Sequence, residues 1–387
     1  MIPYGRQDIN QDDIDAVVEV LRSNFLTQGP AVLQFEHAVA NSCGSRYGVA
    51  VNSATSALHI ACLALGVGPG DVVWTSPITF VASANCARYC GADVDFVDID
   101  PVTLNLSAEK LAAKLIQARQ EGGRLPKVVI PVHFAGQSCD MVAIAKLAEE
   151  FDFRIVEDAS HAIGGHYHGE PVGNGRYSDI TVFSFHPVKI ITTGEGGIAV
   201  TQRVALAEHM GRLRSHGITR DLEQMTHAPD GPWYYQQIEL GYNYRITDIQ
   251  AALGSSQLHR LRKFVIRRQE LAAWYDTAFA HTIIRPQTQQ ENVESAYHLY
   301  VVRVPAARRL SAFEALREQG IGVNLHYIPV YLQPDFRKLG FTEGYCPEAE
   351  AYYQEAITLP LYPSMTVEDQ TRIANALVSL VSDWAGE

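Results

Sequence analysis

The chain has 387 residues, enough to bury a large core, and this length predicts one large domain with a smaller one beside it. Hydrophobic residues make up 47% and charged residues 19% of the chain, a composition that suits a soluble globular enzyme and excludes a disordered chain. The formal net charge of -12 argues against a general nucleic-acid-binding protein, because binding to phosphate backbones needs a basic surface.

Short apolar strands alternate with helices through the first 200 residues. The chain opens with a helix that starts near Asp12 or Asp13, and a second helix follows over residues 31–42. Strands are then predicted over residues 47–51, 71–75, 92–98, 127–132, 153–158, 180–185 and 197–201. Helices are predicted between them, from the turn at 52–58 to about 66 and over residues 77–88, 108–120 and 141–151. This alternation indicates an α/β fold with a mostly parallel central sheet and helices on both of its faces.

The pattern changes after about residue 204. A helix over residues 204–213 and a polar loop over 216–233 lead into a long helical region that begins at 242–248. From about residue 298, strands over 298–304 and 322–327 and helices over 311–319 and 367–384 form a second unit. We therefore expect a large domain over residues 1–260 and a smaller C-terminal α+β domain over residues 261–387.

The turn at residues 52–57 (NSATSA) is the first of several polar strand ends. In open α/β sheets, ligands bind at the carboxyl ends of the strands. Small residues that lead into a helix leave backbone N–H groups free, and the helix dipole favours an anion such as phosphate there. Thr55 and Ser56 could add hydroxyl donors to this site. The alternative is an ordinary helix N-cap without a ligand.

Asp158 ends another predicted strand, in the segment 156–162 (VEDASHA). A carboxylate in this position is costly to bury unless a cation pairs with it, and a protonated ring nitrogen would be such a partner. The alternative is a helix cap. His161 follows three residues later and could face the same ligand, although a single histidine is more often structural.

Lys189 is one of only seven lysines, and Val188 and Ile190 flank it. Burial lowers the pKa of an amine, which makes the amine a nucleophile. The alternative is a strand-end lysine whose charged head remains in water. Ser184 lies five residues earlier and could reach the same crevice. Phe80 could stack on a flat ligand, or simply belong to the core.

A phosphate site, a carboxylate for a ring nitrogen, an aromatic face and a buried lysine together match the needs of pyridoxal phosphate (PLP). This cofactor supplies an electron sink, and the protein supplies a Schiff-base lysine and a partner for the pyridine nitrogen. The order of these features along the chain also fits this cofactor.

Four segments carry a resemblance to a known family: 52–58 (NSATSAL), 157–162 (EDASHA), 183–197 (FSFHPVKIITTGEGG) and 241–248 (GYNYRITD). With them, nearly the whole chain resembles the DegT/StrS-type sugar aminotransferases, a branch of the fold-type I PLP enzymes. Related dehydratases carry histidine in place of the lysine, so the presence of Lys189 favours amino transfer.

The resemblance implies a role for each matching residue. Lys189 would bind PLP covalently and later move the proton, and Asp158 would pair with the pyridine nitrogen. His161 stands near the cofactor hydroxyl, where many relatives have glutamine, and this departure leaves its role open because histidine can become charged.

Further positions would hold the cofactor. Thr55, Ser56 and Ser184 would bind the phosphate, and Phe80 would stack on the ring. Asn243 would reach the phosphate in a neighbouring subunit, so the resemblance implies a homodimer with shared active sites.

The resemblance is strongest to the transaminases of pseudaminic acid biosynthesis. It implies amination of a UDP-linked 4-keto-6-deoxy-N-acetylhexosamine with L-glutamate as the amino donor, the cofactor passing through pyridoxamine phosphate. Candidate residues for the sugar, each with a structural role as the alternative, are Tyr4, His216, His326 and Tyr327.

Other functions stay open at this point. The same chemistry could act on a 3-keto or a dTDP-linked sugar. A non-catalytic ligand sensor with a PLP-enzyme fold is a second alternative, although such a protein would be expected to lack the lysine or to carry a DNA-binding appendage. A nicotinamide dehydrogenase is disfavoured, because the glycine cluster at 66–70 (GVGPG) follows a helix instead of a strand and contains proline.

The sequence also predicts a compartment. Six cysteines without a C-x-x-C pair argue against a disulfide framework or a metal site, and favour reduced thiols. The N-terminus resembles no signal peptide, and no apolar run approaches the roughly 20 residues of a membrane span. We expect a cytoplasmic protein without nucleic-acid or membrane partners.

Overall fold

The structure is a computed structural model that describes residues 1–384. Its helices in chain order are α1 (Gln11–Arg22), α2 (Pro30–Cys43), α3 (Ala54–Ala64), α4 (Ala82–Tyr89), α5 (Ala108–Gln120), α6 (Met141–Phe151), α7 (Val204–Leu213), α8 (Asp248–Leu258), α9 (Leu261–Phe279), α10 (Ala306–Glu318), α11 (Pro334–Arg337), α12 (Pro347–Glu355) and α13 (Val367–Trp384). Short 3-10 helices span Phe134–Gly136 and Val330–Leu332.

The strands include the seven predicted from the alternating pattern and several short ones. They are β1 (Tyr47–Val51), β2 (Val72–Thr75), β3 (Asp93–Phe96), β4 (Val128–Ile130), β5 (Arg154–Asp158), β6 (His166–Tyr167), β7 (Glu170–Pro171), β8 (Ile180–Ser184), β9 (Gly197–Thr201), β10 (Ile218–Thr219), β11 (Gln236–Gln237), β12 (Arg285–Pro286), β13 (Val293–Glu294), β14 (Tyr300–Arg303) and β15 (Ala356–Leu359).

The central sheet has seven strands in the order β1-β9-β8-β5-β4-β2-β3. Strand β9 runs antiparallel to both of its neighbours, and the other six strands are parallel to one another. These strands are almost entirely buried because helices cover both faces, which explains their continuous runs of valine and isoleucine. The predicted α/β fold with a mostly parallel sheet is confirmed.

A separate apolar core lies at the C-terminal end. Its small sheet has the order β12-β14-β15, with both pairings antiparallel, and helices α9, α10 and α13 pack against it. Helix α9 contributes Phe264 and Val265 to the core beside the large sheet and Leu271 to the small one. The predicted boundary at residues 260/261 coincides with the start of α9 and stays a prediction, and residues 385–387 lie outside the described part.

Two predicted elements differ from the structure. The strand expected over residues 322–327 is wrong: only Asn324 pairs, with Thr358, and the chain then turns inward. The third strand of the small sheet is β15 instead. The helix expected from residue 77 begins only at Ala82, so that Phe80 lies in the loop after β2.

Helix α1 buries a charged side chain and leaves two large apolar side chains exposed. Asn10 and Asp13 form a reciprocal cap at its start. Asp13 is buried, where it accepts a hydrogen bond from Gln257 Nε2 at 2.7 Å. Ile14 and Leu21 are 47% and 54% exposed, so this face of the helix is without cover in the single chain. Among residues 1–384, no helix has the length and hydropathy needed to cross a membrane.

Candidate active site

A cavity of about 450 Å³ opens at the carboxyl ends of the parallel strands, within the size range of small-molecule sites. The large domain contributes residues that follow strands β1, β2, β5 and β8. The C-terminal part contributes His298, His326 and Tyr327 to the cavity wall. The lining residues used below are Tyr4, Ser53, Thr55, Thr79, Phe80, Asp158, His161, Ser184, Lys189, His298, His326 and Tyr327.

Lys189 places its amine inside this cavity. Its backbone N–H donates to the His186 carbonyl at 2.9 Å, in the turn that follows β8. Burial lowers the pKa of Lys189 to about 8, although the nearby Asp158 carboxylate acts in the opposite direction. At this pKa about a tenth of the amine is neutral, and hence nucleophilic, at pH 7, far more than for an ordinary lysine.

Asp158 points into the same cavity from the end of β5. Its Oδ2 accepts a hydrogen bond from Ser83 Oγ at 2.6 Å, and its Oδ1 accepts one from the Ser160 N–H at 3.1 Å. The single hydroxyl proton of Ser83 is donated to the carboxylate. The hydroxyl of Thr79, 2.7 Å away, therefore donates to the Ser83 oxygen. These donors fix the carboxylate, which remains free to accept a further hydrogen bond from a ligand.

The N-terminus of α3 offers the cavity free N–H groups that could bind an anion. The side chain of Ser53 caps the helix by accepting from the Ser56 N–H at 3.1 Å. This leaves the first two N–H groups, of Ala54 and Thr55, without partners inside the helix, and both residues line the cavity. Gly197 lets the strand approach closely, since an added Cβ there would lie 2.4 Å from the Ala54 nitrogen.

Ser56 differs from its neighbours in this turn. Its hydroxyl donates to Asn52 Oδ1 at 2.7 Å, and its side chain does not line the cavity. Thr55 and Ser184 do line the cavity, so the structure brings these two hydroxyls together with Lys189. Ser53, which the sequence analysis did not single out, takes the place expected for Ser56 at the cavity wall.

His161 is held as a neutral imidazole. Burial lowers its pKa well below the usual value, and the charge of Lys189 acts in the same direction. Its Nδ1 accepts from the Ala135 N–H at 3.3 Å, so the ring proton lies on Nε2, 3.2 Å from the Tyr327 hydroxyl.

Two of the predicted substrate residues lie on the wall that the C-terminal part contributes. His326 Nδ1 is 2.9 Å from Thr358 Oγ1, and burial lowers the pKa of His326 to about 3. Burial also raises the pKa of the Tyr327 hydroxyl, which therefore stays protonated. Tyr4 reaches the cavity from the N-terminal segment and lies 5.5 Å, ring to ring, from His326.

Phe80 lies at the cavity mouth with 60% of its surface exposed, so it is not a core residue. Asn243 and His216 are not among the lining residues, and both are exposed on neighbouring loop segments. The His216 N–H donates to the Tyr242 carbonyl, which joins these segments. The single chain therefore leaves Asn243 and His216 outside its own cavity.

His298 is a cavity residue that the sequence analysis missed. The sequence predicts a strand that begins at His298, but β14 begins two residues later, at Tyr300. Its Nε2 lies 3.3 Å from Lys189 Nζ. Nothing in the sequence near residue 298 indicated this contact, because the two residues are 109 positions apart.

These residues fit PLP. The free N–H groups of α3 suit a phosphate, the fixed Asp158 carboxylate suits a protonated ring nitrogen, and the Lys189 amine lies in the same cavity. Phe80 offers an exposed ring at the mouth. Among residues 1–384, no cluster of three or more histidine, cysteine, aspartate or glutamate side chains could hold a metal ion.

Comparison with known sequences agrees with this fit. A sequence profile described as the DegT/DnrJ/EryC1/StrS aminotransferase family matches residues 7–378. The chain is 39% identical over 388 residues to the spore coat polysaccharide biosynthesis protein SpsC of Bacillus subtilis, covering 98% of this chain and 97% of that one. It is 36% identical over 385 residues to the UDP-4-amino-4,6-dideoxy-N-acetyl-beta-L-altrosamine transaminase of Campylobacter jejuni, covering 98% of each chain.

Solved structures resemble the fold closely. PseC of Helicobacter pylori, an aminotransferase of pseudoaminic acid biosynthesis, superposes with a TM-score of 0.90 at 31% identity and 99% coverage of both chains. A sugar aminotransferase, Spr1654 of Streptococcus pneumoniae, superposes in its PMP form with a TM-score of 0.89 at 32% identity, covering 99% of this chain and 100% of that one. The same protein has also been solved in a PLP form.

Proposed function

The chain belongs to the DegT/DnrJ/EryC1/StrS aminotransferase family and is a PLP-dependent aminotransferase, and we propose that it aminates a UDP-linked 4-keto-6-deoxy-N-acetylhexosamine with L-glutamate as the amino donor. The observation that carries this proposal is the retained Lys189 amine, in one cavity with Asp158 and the free N-terminus of α3. A non-catalytic ligand sensor with this fold would have no need for a buried lysine whose pKa is lowered.

PLP, when bound, supplies the electron sink for amino transfer, with pyridoxamine phosphate as its aminated form. Lys189 would bind the cofactor. Once released, its neutral amine would accept a proton and then pass it on. Asp158, fixed by Ser83 and the Ser160 N–H, would keep the ring nitrogen protonated. Thr55 and Ser184 would hold the phosphate, and Phe80 would cover the ring.

The substrate assignment rests on the cavity's outer wall and on the relatives. His161, His326 and Tyr327 present uncharged polar groups there, which can exchange hydrogen bonds with the hydroxyl and carbonyl groups of a sugar. The transaminase from Campylobacter jejuni carries the name of a UDP-linked amino sugar, and the Helicobacter pylori protein that of a pseudaminic acid pathway. We assign the same substrate class and pathway to this chain.

We further propose that the enzyme is a homodimer with shared active sites. Asn243 and His216 are exposed and lie outside the chain's own cavity, where they could serve the cavity of a second copy. Large apolar side chains near the N-terminus are also exposed, as a subunit interface would require. They are Ile14, Leu21, Phe25, Leu26 and Leu33. The six unpaired cysteines support a reducing, cytoplasmic compartment.

The decisive experiment is mass spectrometry of the product formed from L-glutamate and a UDP-4-keto-6-deoxy-N-acetylhexosamine. The wild-type enzyme should replace the 4-keto group by an amine. The Lys189→Ala variant should lose this activity by roughly 10⁴-fold or more, because both cofactor attachment and proton transfer depend on the amine. Lys263→Ala, which removes an exposed lysine outside the cavity, is the matched control and should keep wild-type activity.

A panel of related sugars separates the possible substrates. SpsC of Bacillus subtilis, named for spore coat polysaccharide biosynthesis, is 39% identical to this chain, against 36% for the altrosamine transaminase. The panel therefore extends beyond the proposed sugar and includes 3-keto and dTDP-linked sugars. Faster turnover of one of these would reassign the substrate. An active Lys189→Ala variant would contradict the aminotransferase mechanism itself.

A further inference from the structure

His298 lines the cavity and faces Lys189. It lies just before β14 in the C-terminal part of the chain and is 4% exposed. Its Nε2 is 3.3 Å from Lys189 Nζ, within hydrogen-bond distance. No role in the proposed mechanism accounts for this contact, because the cofactor contacts described above come from the large domain.

The other ring nitrogen of His298 shows which atom carries the proton. Nδ1 is buried and has no hydrogen-bond partner among the residues that the structure describes. A buried N–H group without an acceptor is rarer in proteins than a buried acceptor without a donor. The ring is also uncharged, since burial, Lys189 and His161 lower the pKa of His298 well below its usual value. The single proton therefore belongs on Nε2.

A proton on Nε2 fixes the direction of the hydrogen bond with Lys189. The Nε2–H group can donate only to the lone pair of a neutral amine, because an ammonium group has no lone pair. If Lys189 were protonated, Nε2 would have to accept, and the ring proton would move to the buried Nδ1, which has no acceptor. The contact thus favours the neutral form of Lys189.

We propose that His298 is a positioning residue for Lys189: its Nε2–H donates to Nζ, holds the released amine in place and favours its neutral form. This inference rests on the proposed function, in which Lys189 moves a proton between the substrate and the cofactor. The amine that carries out this transfer must be both neutral and close to where it was released.

Four other charged or titratable side chains near Lys189 show how the contact of His298 differs from theirs. Asp158, from β5, favours the ammonium form of Lys189. His161, from the loop after β5, and His326, from the C-terminal segment, are neutral at physiological pH. Arg268, from α9, lies behind His298 and donates to its carbonyl oxygen at 3.2 Å. Of these groups, His298 has a ring nitrogen within hydrogen-bond distance of Nζ.

The test uses the cofactor-free full-length protein. Acylation of Lys189 by acetic anhydride is followed against pH by peptide mass spectrometry, with the exposed Lys263 as an internal reference for the reagent. In the wild type, the midpoint should lie well below the ordinary lysine value of about 10.4. In His298→Leu, which keeps the site apolar but cannot donate, the midpoint should rise by about one pH unit, the equivalent of one hydrogen bond.

Two further variants separate the hydrogen bond from packing. His298→Gln keeps an N–H donor at nearly the same reach, so its midpoint should stay near that of the wild type. His298→Asn is polar but too short to reach Lys189, and it should behave like His298→Leu. Thermal unfolding of each variant identifies the ones that are folded well enough to compare.

A midpoint that is unchanged or lower in both His298→Leu and His298→Asn overturns the proposal. So does a His298→Gln protein that behaves like His298→Leu. Neither result depends on the sugar substrate or on turnover, so failure here leaves the proposed function intact.

A second measurement tests positioning in the holoenzyme. For the half-reaction with glutamate, His298→Leu should lower kcat by roughly 10- to 100-fold with KM little changed, because the amine would no longer be held in place. The deuterium isotope effect with α-deuterated glutamate should increase as proton transfer becomes rate-limiting, and His298→Gln should restore most of the rate. An isotope effect that stays at the wild-type value contradicts the positioning role.

Discussion

At the scale of single residues, the site depends on how burial divides its side chains into charged and neutral groups. Desolvation is the largest cause of the lowered pKa of Lys189, His161, His298 and His326. The Asp158 carboxylate is held by hydrogen bonds that the Ser83 hydroxyl and the Ser160 N–H donate to it. The result is a cavity in which three histidines are neutral and the Lys189 amine loses its proton more easily than an ordinary lysine.

This division predicts the pH dependence of cofactor attachment. Only the neutral amine of Lys189 can attack the aldehyde of PLP, and the folded-state pKa of that amine is depressed to about 8. The rate of attachment to the cofactor-free protein should therefore rise about tenfold per pH unit well below pH 8, where the ammonium form dominates, and level off above it. Stopped-flow absorbance of the bound cofactor measures this rate, and a midpoint near the ordinary lysine value of about 10.4 would show that burial has no such effect.

At the scale of elements, the anion site is made by the close approach of β9 to the start of α3. Gly197 pairs with Val51 on one side and with Ser184 on the other, so it lies between the strands that carry the two halves of the site. A glycine is needed there because the backbone of Ser53 and Ala54 occupies the space that a Cβ would fill.

We expect Gly197→Ala to displace the N-terminus of α3 and to weaken PLP binding by roughly tenfold or more, a change that corresponds to about 1.4 kcal/mol. Fluorescence or absorbance titration of the cofactor-free protein with PLP measures the affinity. Gly68→Ala is the matched control, since no atom lies within 4 Å of a Cβ added there and its φ is not positive. Equal affinities in the two variants would mean that the close approach does not shape the site.

At the scale of the whole molecule, the enclosed cavity depends on parts of the chain that are far apart. Tyr4 comes from the N-terminal segment and His298, His326 and Tyr327 from the C-terminal part, while Lys189 and Asp158 come from the large sheet. Asn243 and His216 belong to none of these walls in the single chain. The homodimer proposed above would give them a function.

Shared active sites predict complementation between two inactive variants. Lys189→Ala and Asn243→Ala homodimers should each be impaired, the first almost completely and the second through weaker phosphate binding. In a mixed dimer, one of the two sites combines the native Lys189 with the native Asn243 of the other chain, so activity should reappear to about half of the wild-type value per mixed dimer.

The mixed dimer can be prepared by refolding or co-expression with two different affinity tags, and its activity is compared with that of each parent. A mixed dimer whose activity equals the average of its two parents would show that each site is complete within one chain. Size-exclusion chromatography with light scattering checks that the species assayed is a dimer.

The amino-acid sequence by itself determined the large sheet and the cofactor chemistry. Continuous valine and isoleucine runs identify buried strands, and the ends of those strands carry Asp158, Ser184 and Lys189 within short, local segments. Such features depend on neighbours along the chain, so they can be read without knowing the fold. The helix N-terminus at Ala54 is local for the same reason, although the sequence did not distinguish the roles of Ser53 and Ser56.

Only the tertiary structure decided which distant residues meet Lys189. His298 is 109 residues away from it, and Tyr327 reaches His161 across 166 residues. The same is true of helix α1, where Asp13 is buried through contacts with Ser256, Gln257 and Arg260, more than 240 residues away. The apolar pattern of residues 322–327 predicts a strand. In the structure only Asn324 pairs, with Thr358, and the following residues His326 and Tyr327 line the cavity. These contacts depend on how separate elements pack, and local patterns of hydrophobicity carry no information about packing partners.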